Sequence, residues 1–502
     1  MLRNSLIFCL LANTALAGDP NFSARTLPDH AYTGGWEHFV GGGVAAFDCN
    51  GDARPELYAA GGSNPARLMR NTNQTPLEFT ADTPENLALT GVIGAYPLDI
   101  DSDGITDLAI LRVGADQLMR GTGNCSFEPF DLGFDSGDHW STGFSATWEV
   151  GQTLPTLAIG TYVDRADPDG PFRTCDDTLM YRPSGEKYGA PIHLEPGFCA
   201  LSMLFTDWAR TGRADLRVSN DRHYYVKGGQ EQLWAMETTP RLYTPEDGWK
   251  RYSIWGMGIA SRDLSGDGFA DVFLTSMGDQ KLQTFDADAG GPSYDDATYS
   301  RGTTAHRPHV GQDGRPSTGW HAAFGDVNND GLDDIFVAKG NVEQMPDAAM
   351  QDPNTLLVQS PDGTFAEKSE GAGVASMARS RGAALMDLNL DGRLDLAVVN
   401  RRAPMELYEN TGAGGNWLSV AVSQLRINTA AIGAHIEVCP AGADRCHTRE
   451  ITVGGGHAGG QLGPQHFGMG PAETAKVRVI WPDQSVSDWV ESPANARLAI
   501  QR

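Results

Sequence analysis

Asp326-Val327-Asn328-Asn329-Asp330-Gly331-Leu332-Asp333-Asp334, followed at once by Ile335-Phe336-Val337, sets oxygen-bearing side chains at positions 1, 3, 5 and 9 of a nine-residue turn and an apolar run behind it. The phrase occurs four more times, at residues 48–56 (DCNGDARPE), 99–107 (DIDSDGITD), 263–271 (DLSGDGFAD) and 387–395 (DLNLDGRLD). Calcium takes about six to eight oxygens, and alternate side chains of a tight loop can converge on one such ion. The candidate metal ligands are therefore Asp48, Asn50, Asp52 and Glu56; Asp99, Asp101, Asp103 and Asp107; Asp263, Ser265, Asp267 and Asp271; Asp326, Asn328, Asp330 and Asp334; and Asp387, Asn389, Asp391 and Asp395. The expected cofactor is Ca²⁺, about five ions per chain. Position 6 is Gly in four copies and Ala53 in the first.

An EF-hand would place a Glu at position 12 between two helices. Here position 12 is Ala59, Ile110, Leu274, Val337 or Val398, inside short apolar runs that read as strands. Two decayed copies extend the series: residues 207–215 keep the first and last Asp, and residues 148–156 keep only the turn and the following strand. Seven units begin near 48, 99, 148, 207, 263, 326 and 387. That spacing predicts an all-β chain in which a seven-bladed β-propeller over 30–412, with metal-free third and fourth blades, precedes a small antiparallel β domain over 416–490. The tail signal is the apolar/polar alternation of runs such as Leu418-Ser419-Val420-Ala421-Val422 and Val477-Arg478-Val479-Ile480.

Residues 1–17 read as a secretory signal, with Arg3, an apolar run over 6–12 and Ala15-Leu16-Ala17 before Gly18, so a soluble secreted or periplasmic protein is expected. Its removal takes Cys9 and leaves six cysteines, an even count that favours disulfides in an exported chain and allows fifteen connectivities. Cys439 and Cys446 bracket a loop suited to a local bridge; Cys175 with Cys199 and Cys49 with Cys125 would follow. The net charge of −26 is partly metal-site chemistry, since sixteen of the 64 carboxylates stand at ligand positions. It argues against nucleic acid or an anionic membrane as partner.

Further motifs carry a family resemblance. Trp255-Gly256-Met257-Gly258-Ile259-Ala260, Ser380-Arg381-Gly382-Ala383-Ala384, Asn416-Trp417-Leu418, Ala431-Ile432-Gly433-Ala434, Gly454-Gly455-Gly456, His466-Phe467-Gly468-Met469-Gly470 and Trp481-Pro482 follow one another in order. The mature chain resembles the ASPIC/UnbV, or cartilage-acidic-protein-like, family, in which FG-GAP/VCBS-type repeats precede a short terminal domain. The resemblance implies a secreted calcium-binding protein and supplies no reaction. After the triple glycine this chain has His457-Ala458-Gly459-Gly460 in place of the family's Tyr-Ser-Gln, which sets that segment apart.

No G-x-S-x-G elbow, H-E-x-x-H motif or Walker loop is present, and no catalytic residue is assigned. His306 and His309, His457 and His466, and the acidic group Asp164, Asp167, Asp169, Asp176 and Asp177 read as loop and packing residues. The aromatics Trp148, Tyr162, Trp208, Tyr224, Tyr225 and Trp234 read mainly as core. Two functions follow. One is a calcium-stabilised interaction or adhesion-type protein that presents loops to a protein or carbohydrate outside the cytoplasm; the alternative is an exported hydrolase, lyase or redox enzyme acting in the propeller channel.

Overall fold

In every repeat the apolar run after the acidic turn pairs with the strand before it. In the first unit Val44–Phe47 runs antiparallel to Glu56–Ala59, with the turn between them. Both strands are buried along their whole length, which is why, Glu56 apart, they are continuous apolar residues instead of alternating ones. The outermost strand, Leu77–Ala81, alternates buried and exposed, as an edge strand with one wet face does. The computed structural model describes residues 18–167, 174–221, 226–311 and 313–502, so the signal segment at 1–17 and Asp169, Tyr224 and Tyr225 lie outside the described residues.

Seven strand groups, called sheets below, repeat this plan among the described residues, each with four antiparallel strands in chain order except the last; the second and third are joined into one eight-stranded sheet where His139 and Trp140 pair with Gly114 and Val113, and the first gains a parallel strand, Gln461–Leu462. Their first strands are Val44–Phe47, Val92–Leu98, His139–Thr147, Ala200–Thr206, Gly256–Arg262, Gly319–Gly325 and Ser380–Met386. Each first strand packs against that of the next sheet, and Ser380–Met386 packs against Val44–Phe47. The seventh sheet takes its fourth strand from the other end of the chain: Phe22–Arg25 pairs antiparallel with Glu406–Asn410. Repeat counting starts at 30 and misses this strand, because Phe22–Arg25 carries no turn signature and belongs to the last sheet instead of the first. The result is all-β and propeller-like.

The terminal region forms two further sheets. Asn416–Ser423 lies between Gln465–Gly470 and, in parallel, Ala496–Gln501. The other sheet runs in the order His447–Glu450, His435–Pro440, Thr474–Ile480 and Val490–Pro493. Leu418, Val420, Ile436, Val438, Phe467, Val477 and Val479 fill the space between them, and this apolar cluster continues into Tyr96, Phe144 and Leu157 of the second and third sheets. The tail therefore extends past 490 to Gln501 and is packed into the repeats instead of tethered beside them.

Residues 453–462 leave this domain and touch the first strand of every repeat sheet. Ser145 donates to the carbonyl of Val453, Gly455 N–H donates to Met203 O at 2.7 Å and Gly456 N–H to Ile259 O at 2.6 Å. His457 N–H donates to His321 Nδ1 at 3.0 Å, and the carbonyl of His457 lies against Gly382. Gly459 bridges to Ala95, and Ala46 N–H donates to Gly460 O at 3.1 Å. One ten-residue segment, turned by left-handed residues at Gly454, Gly455, Gly456 and Ala458, thus contacts all seven first strands. Space there is tight: a Cβ on Gly94 would stand 1.6 Å from the carbonyl oxygen of Ala458, and one on Gly43 would stand 1.7 Å from the same atom. His321 accepts a backbone N–H and is therefore neutral at Nδ1; burial lowers it to about 4 and lowers His457 to about 3.

The three cysteine pairs expected from the sequence are present: Cys49–Cys125, Cys175–Cys199 and Cys439–Cys446. They join the first turn to the second sheet, the insertion of the third sheet to the fourth, and two neighbouring strands of the tail.

Replacing Gly94 by Ala is expected to destabilise the fold by about 3 kcal/mol, since backbone must move to admit one methyl group. Gly189→Ala, at a position with no heavy atom within 4 Å of the added Cβ, is expected to leave the unfolding midpoint unchanged in the same thermal scan.

Candidate metal centres

Each acidic turn is built by its own carboxylates. Position 1 closes it: Asp326 accepts from the backbone N–H of Asp330 at 3.1 Å and of Gly331 at 2.7 Å. Asp99 does the same for Asp103 and Gly104, and Asp387 for Asp391 and Gly392. Asp48 and Asp263 reach positions 4 and 6 instead. Position 5 accepts the N–H of position 7, as in Asp103 from Ile105 and Asp267 from Phe269, both at 2.8 Å.

Two residues of every turn lie in the left-handed region. Position 6 has φ of 87°, 89°, 90° and 84° at Gly104, Gly268, Gly331 and Gly392, and 70° at Ala53. Position 4 is also left-handed, at Gly51, Ser102, Gly266, Asn329 and Leu390. The sequence exposes the first requirement through its glycines and hides the second, because side chains as different as Ser, Asn and Leu occupy position 4.

Positions 3 and 5 are brought together. Asn50 lies 3.1 Å from Asp52, Asn328 3.1 Å from Asp330 and Asn389 3.2 Å from Asp391, in each case amide to carboxylate. In the second turn Asp99, Asp101 and Asp103 offer oxygens that all lie within 4.8 Å of one another. In the turn at 263–271 the hydroxyl of Ser265 stands 3.4 Å from Asp263.

Position 9 has a second duty. Asp107 accepts from Ile100 N–H at 2.8 Å and from Gly121 N–H at 2.7 Å, the latter on the third strand of its sheet. Asp271, Asp334 and Asp395 repeat the pattern with Leu264 and Phe285, Val327 and Gln359, and Leu388 and Asn410. Glu56 accepts from Cys49 N–H at 3.0 Å. Its proximity to Cys49 and Cys125 is no thiolate site, because those two sulfurs are bonded to each other.

The decayed turn of the fourth sheet separates the two roles. Asp207 still accepts from Thr211 and Gly212, and Asp215 from Met236, with the same backbone form around Ala209 and Thr211. Positions 1 and 9 hold the turn. An Asp at position 5, with Asn, Asp or Ser at position 3, is what the other five copies add.

The carboxylates at positions 1 and 9 are crowded and mostly buried. Burial first, then neighbouring carboxylates, pushes Asp107 up to about 8 and Asp271 to about 7; burial leads again for Asp387, at about 6, and Glu56, at about 7. A cation would relieve that cost, and a set of carboxylate, amide and hydroxyl oxygens without His or Cys fits a hard divalent ion. Arginines meet part of the charge in three turns, where Arg120 stands 2.9 Å from both Asp101 and Asp103, and Arg54 and Arg393 pair with Asp52 and Asp391.

The tail domain lies directly over the turns. Thr429 donates to Asp99, and Asn428 N–H to Ser102 Oγ at 2.9 Å. Arg445 donates to Leu264 O at 3.0 Å, Arg449 pairs with Asp333 at 2.8 Å, and His466 meets Asn329 at 2.7 Å. Glu450 accepts from Thr206 Oγ1 and Asp207 N–H, and the Trp417 ring packs on Gly392. None of these contacts is visible in the repeat itself.

The remaining sequence candidates are dispersed. His309 meets Ser369 at 2.8 Å and Glu367 at 3.2 Å. Asp176 pairs with His139 at 2.6 Å and Asp177 with His193 at 3.5 Å. Trp208 packs on Tyr243, and Trp234 lies in the core of the fourth sheet.

Comparison with known proteins bears out the family resemblance. Residues 48–110 and 326–398 match the FG-GAP-like repeat, and residues 424–502 match the ASPIC and UnbV domain. Cartilage acidic protein 1 of Mus musculus is 25% identical over 233 residues, covering 45% of this chain and 34% of that protein. Its Homo sapiens counterpart is 28% identical over 162 residues, covering 32% of this chain and 24% of that protein. The match thus spans about a third or less of these relatives. Among solved structures, BBS1N in complex with ARL6DN aligns over 79% of this chain and 99% of its own at a TM-score of 0.45 and 9% identity. An Agrocybe aegerita lectin recognising non-reducing terminal N-acetylglucosamine aligns over 74% and 92% at 0.40 and 15%.

Because Ala53 holds a φ that glycine adopts freely, Ala53→Gly is expected to stabilise the protein by about 1 kcal/mol, read as a rise in the denaturation midpoint. An unchanged or lowered midpoint would contradict the strain assigned to that turn.

Proposed function

We propose that this ASPIC/UnbV and FG-GAP chain is an exported, calcium-stabilised interaction protein, a closed seven-bladed propeller whose metal turns form the seat of its terminal domain. The observation that carries the reading is the shared backbone of six turns, five of which add polar side chains drawn together inside the turn: amide–carboxylate pairs at positions 3 and 5 in three, clustered carboxylate oxygens in the second, and Ser265 against Asp263 in the fifth sheet's turn. In the same turns the tail domain touches the residues between the ligands, at Ser102, Leu264 and Asn329. Calcium there would fix the turn and thereby the surface on which the tail rests. The cyclic packing of the seven first strands and the strand exchanged between Phe22–Arg25 and the last sheet support closure of the ring.

Export is supported by the three disulfides and by the kinship with cartilage acidic protein 1. No described helix is long and apolar enough to cross a membrane. The expected partner is a protein or carbohydrate met outside the cytoplasm. The alternative, an exported hydrolase, lyase or redox enzyme in the channel, is less favoured because residues 453–462 occupy the place among the seven first strands where such a site would lie.

The test is thermal unfolding with calcium and with chelator, alongside a metal count by native mass spectrometry. About five ions per chain and a calcium-dependent rise in midpoint are expected, since each site held at a hundredfold excess over its Kd contributes about 2.7 kcal/mol. Asp330→Ala should lower the midpoint more in calcium than in chelator, whereas Asp207→Ala, in the turn that has Ala209 at position 3 and no carboxylate at position 5, should cost the same in both. No calcium response, or equal behaviour of the two variants, would overturn the reading.

A further inference from the structure

A cavity of about 490 Å³ opens at the ends of the strands opposite the acidic turns. Five different sheets supply its walls, among them Tyr162, Trp255, Met257, Met277 and Trp320, and Trp36 and Phe39 from the segment before the first sheet complete them. Its floor lies on residues 453–462, the axial segment of the proposed ring: Met257 O accepts from His457 Nδ1 at 3.0 Å, and the Trp320 ring is 5.1 Å from that of His457. The size suits a small organic molecule, and the lining is aromatic and sulfur-rich with few polar groups.

The polar groups divide into two kinds. On one side Arg401 and Arg402 share Glu343 and also donate to carbonyls, Arg401 to those of Gly34, Gly35 and His38 and Arg402 to that of Gly34. Arg381, behind the Trp320 ring, donates to the carbonyls of Phe39, Ser380, Asn341 and Val342. The donors of all three guanidiniums are thus engaged within the protein, with Glu343 the carboxylate that pairs with Arg401 and Arg402. On the other side Asp221 accepts from the Tyr162 hydroxyl at 2.7 Å, and among the described residues no Lys, Arg or His forms an ion pair with it. A carboxylate left without a cation beside several aromatic faces is the arrangement that binds an organic ammonium ion, through charge at one point and the ring quadrupoles around it.

We propose that this cavity binds a small organic ammonium ion with an aromatic or aliphatic body, its charged head on Asp221 and its body against Trp36, Trp255 and Trp320. The site shares no residue with the acidic turns and stands whether or not those hold calcium.

Three cavity-lining tryptophans make intrinsic fluorescence a direct probe of occupancy. The full mature chain is titrated with phenethylammonium, 2-phenylethanol and phenylacetate, which are close in shape and differ in charge, and stoichiometry is checked by calorimetry. Phenethylammonium is expected to bind one per chain, at least about tenfold tighter than the other two. Asp221→Asn keeps an oxygen for Tyr162 and should abolish that preference with an unchanged unfolding midpoint. Trp36→Ala, at a side chain that is 38% exposed, removes one wall without opening the core and should weaken all three ligands. Equal or tighter binding of the alcohol or the acid, a preference that survives Asp221→Asn, or no saturable binding of phenethylammonium would overturn the proposal.

Discussion

The backbone of residues 453–462 is the constraint on which the other parts depend. It belongs to the tail domain, yet its N–H and C=O groups complete hydrogen bonds with the first strands of the repeat sheets. Buried backbone groups must find partners, and here the partners of two domains are each other. Glycines on both sides make the approach possible, since a single methyl group at Gly43 or Gly94 would overlap the carbonyl of Ala458. The tail is thus part of the fold of the repeats, and the Gly454-Gly455-Gly456 motif has a structural cause independent of any ligand.

The acidic turns answer a second constraint, the cost of placing many carboxylates at one level of the molecule. Those at positions 1 and 9 are spent on backbone amides, and the fourth sheet shows that this suffices to form the turn. Those at positions 3 and 5 also accept backbone N–H groups, but the fourth sheet forms its turn without them. They are partly balanced by Arg54, Arg120 and Arg393 and face a domain that presses on the same turns. Stability of the turns and seating of the tail are therefore coupled properties of one surface.

Much of this was legible in the sequence. The turn and its flanking runs specify hairpins because they combine left-handed turn residues with apolar strands buried on both faces, and the local bracket of Cys439 and Cys446 led to the other two pairs. What stayed hidden is non-local. Phe22–Arg25 carries no repeat signature because it completes the last sheet from the wrong end of the chain. Position 9 reads as one more ligand, whereas its oxygens also tie the loop to the third strand, a partner fourteen or more residues away in Asp107, Asp271, Asp334 and Asp395. The cavity gathers Trp36, Tyr162, Trp255 and Trp320 from sequence positions nearly three hundred residues apart, and only Tyr162 stood out among the aromatics singled out in the sequence.

The most direct measurement of the central claim is native-state hydrogen exchange at the backbone amides of Gly455, Gly456 and His457. If the axial segment is part of the fold of all seven sheets, these amides exchange only with global unfolding, at the same free energy as Ala46 and the innermost strands. Exchange of the segment through a lower-energy opening, while the first strands keep full protection, would show that the sheets stand without it and would contradict the account.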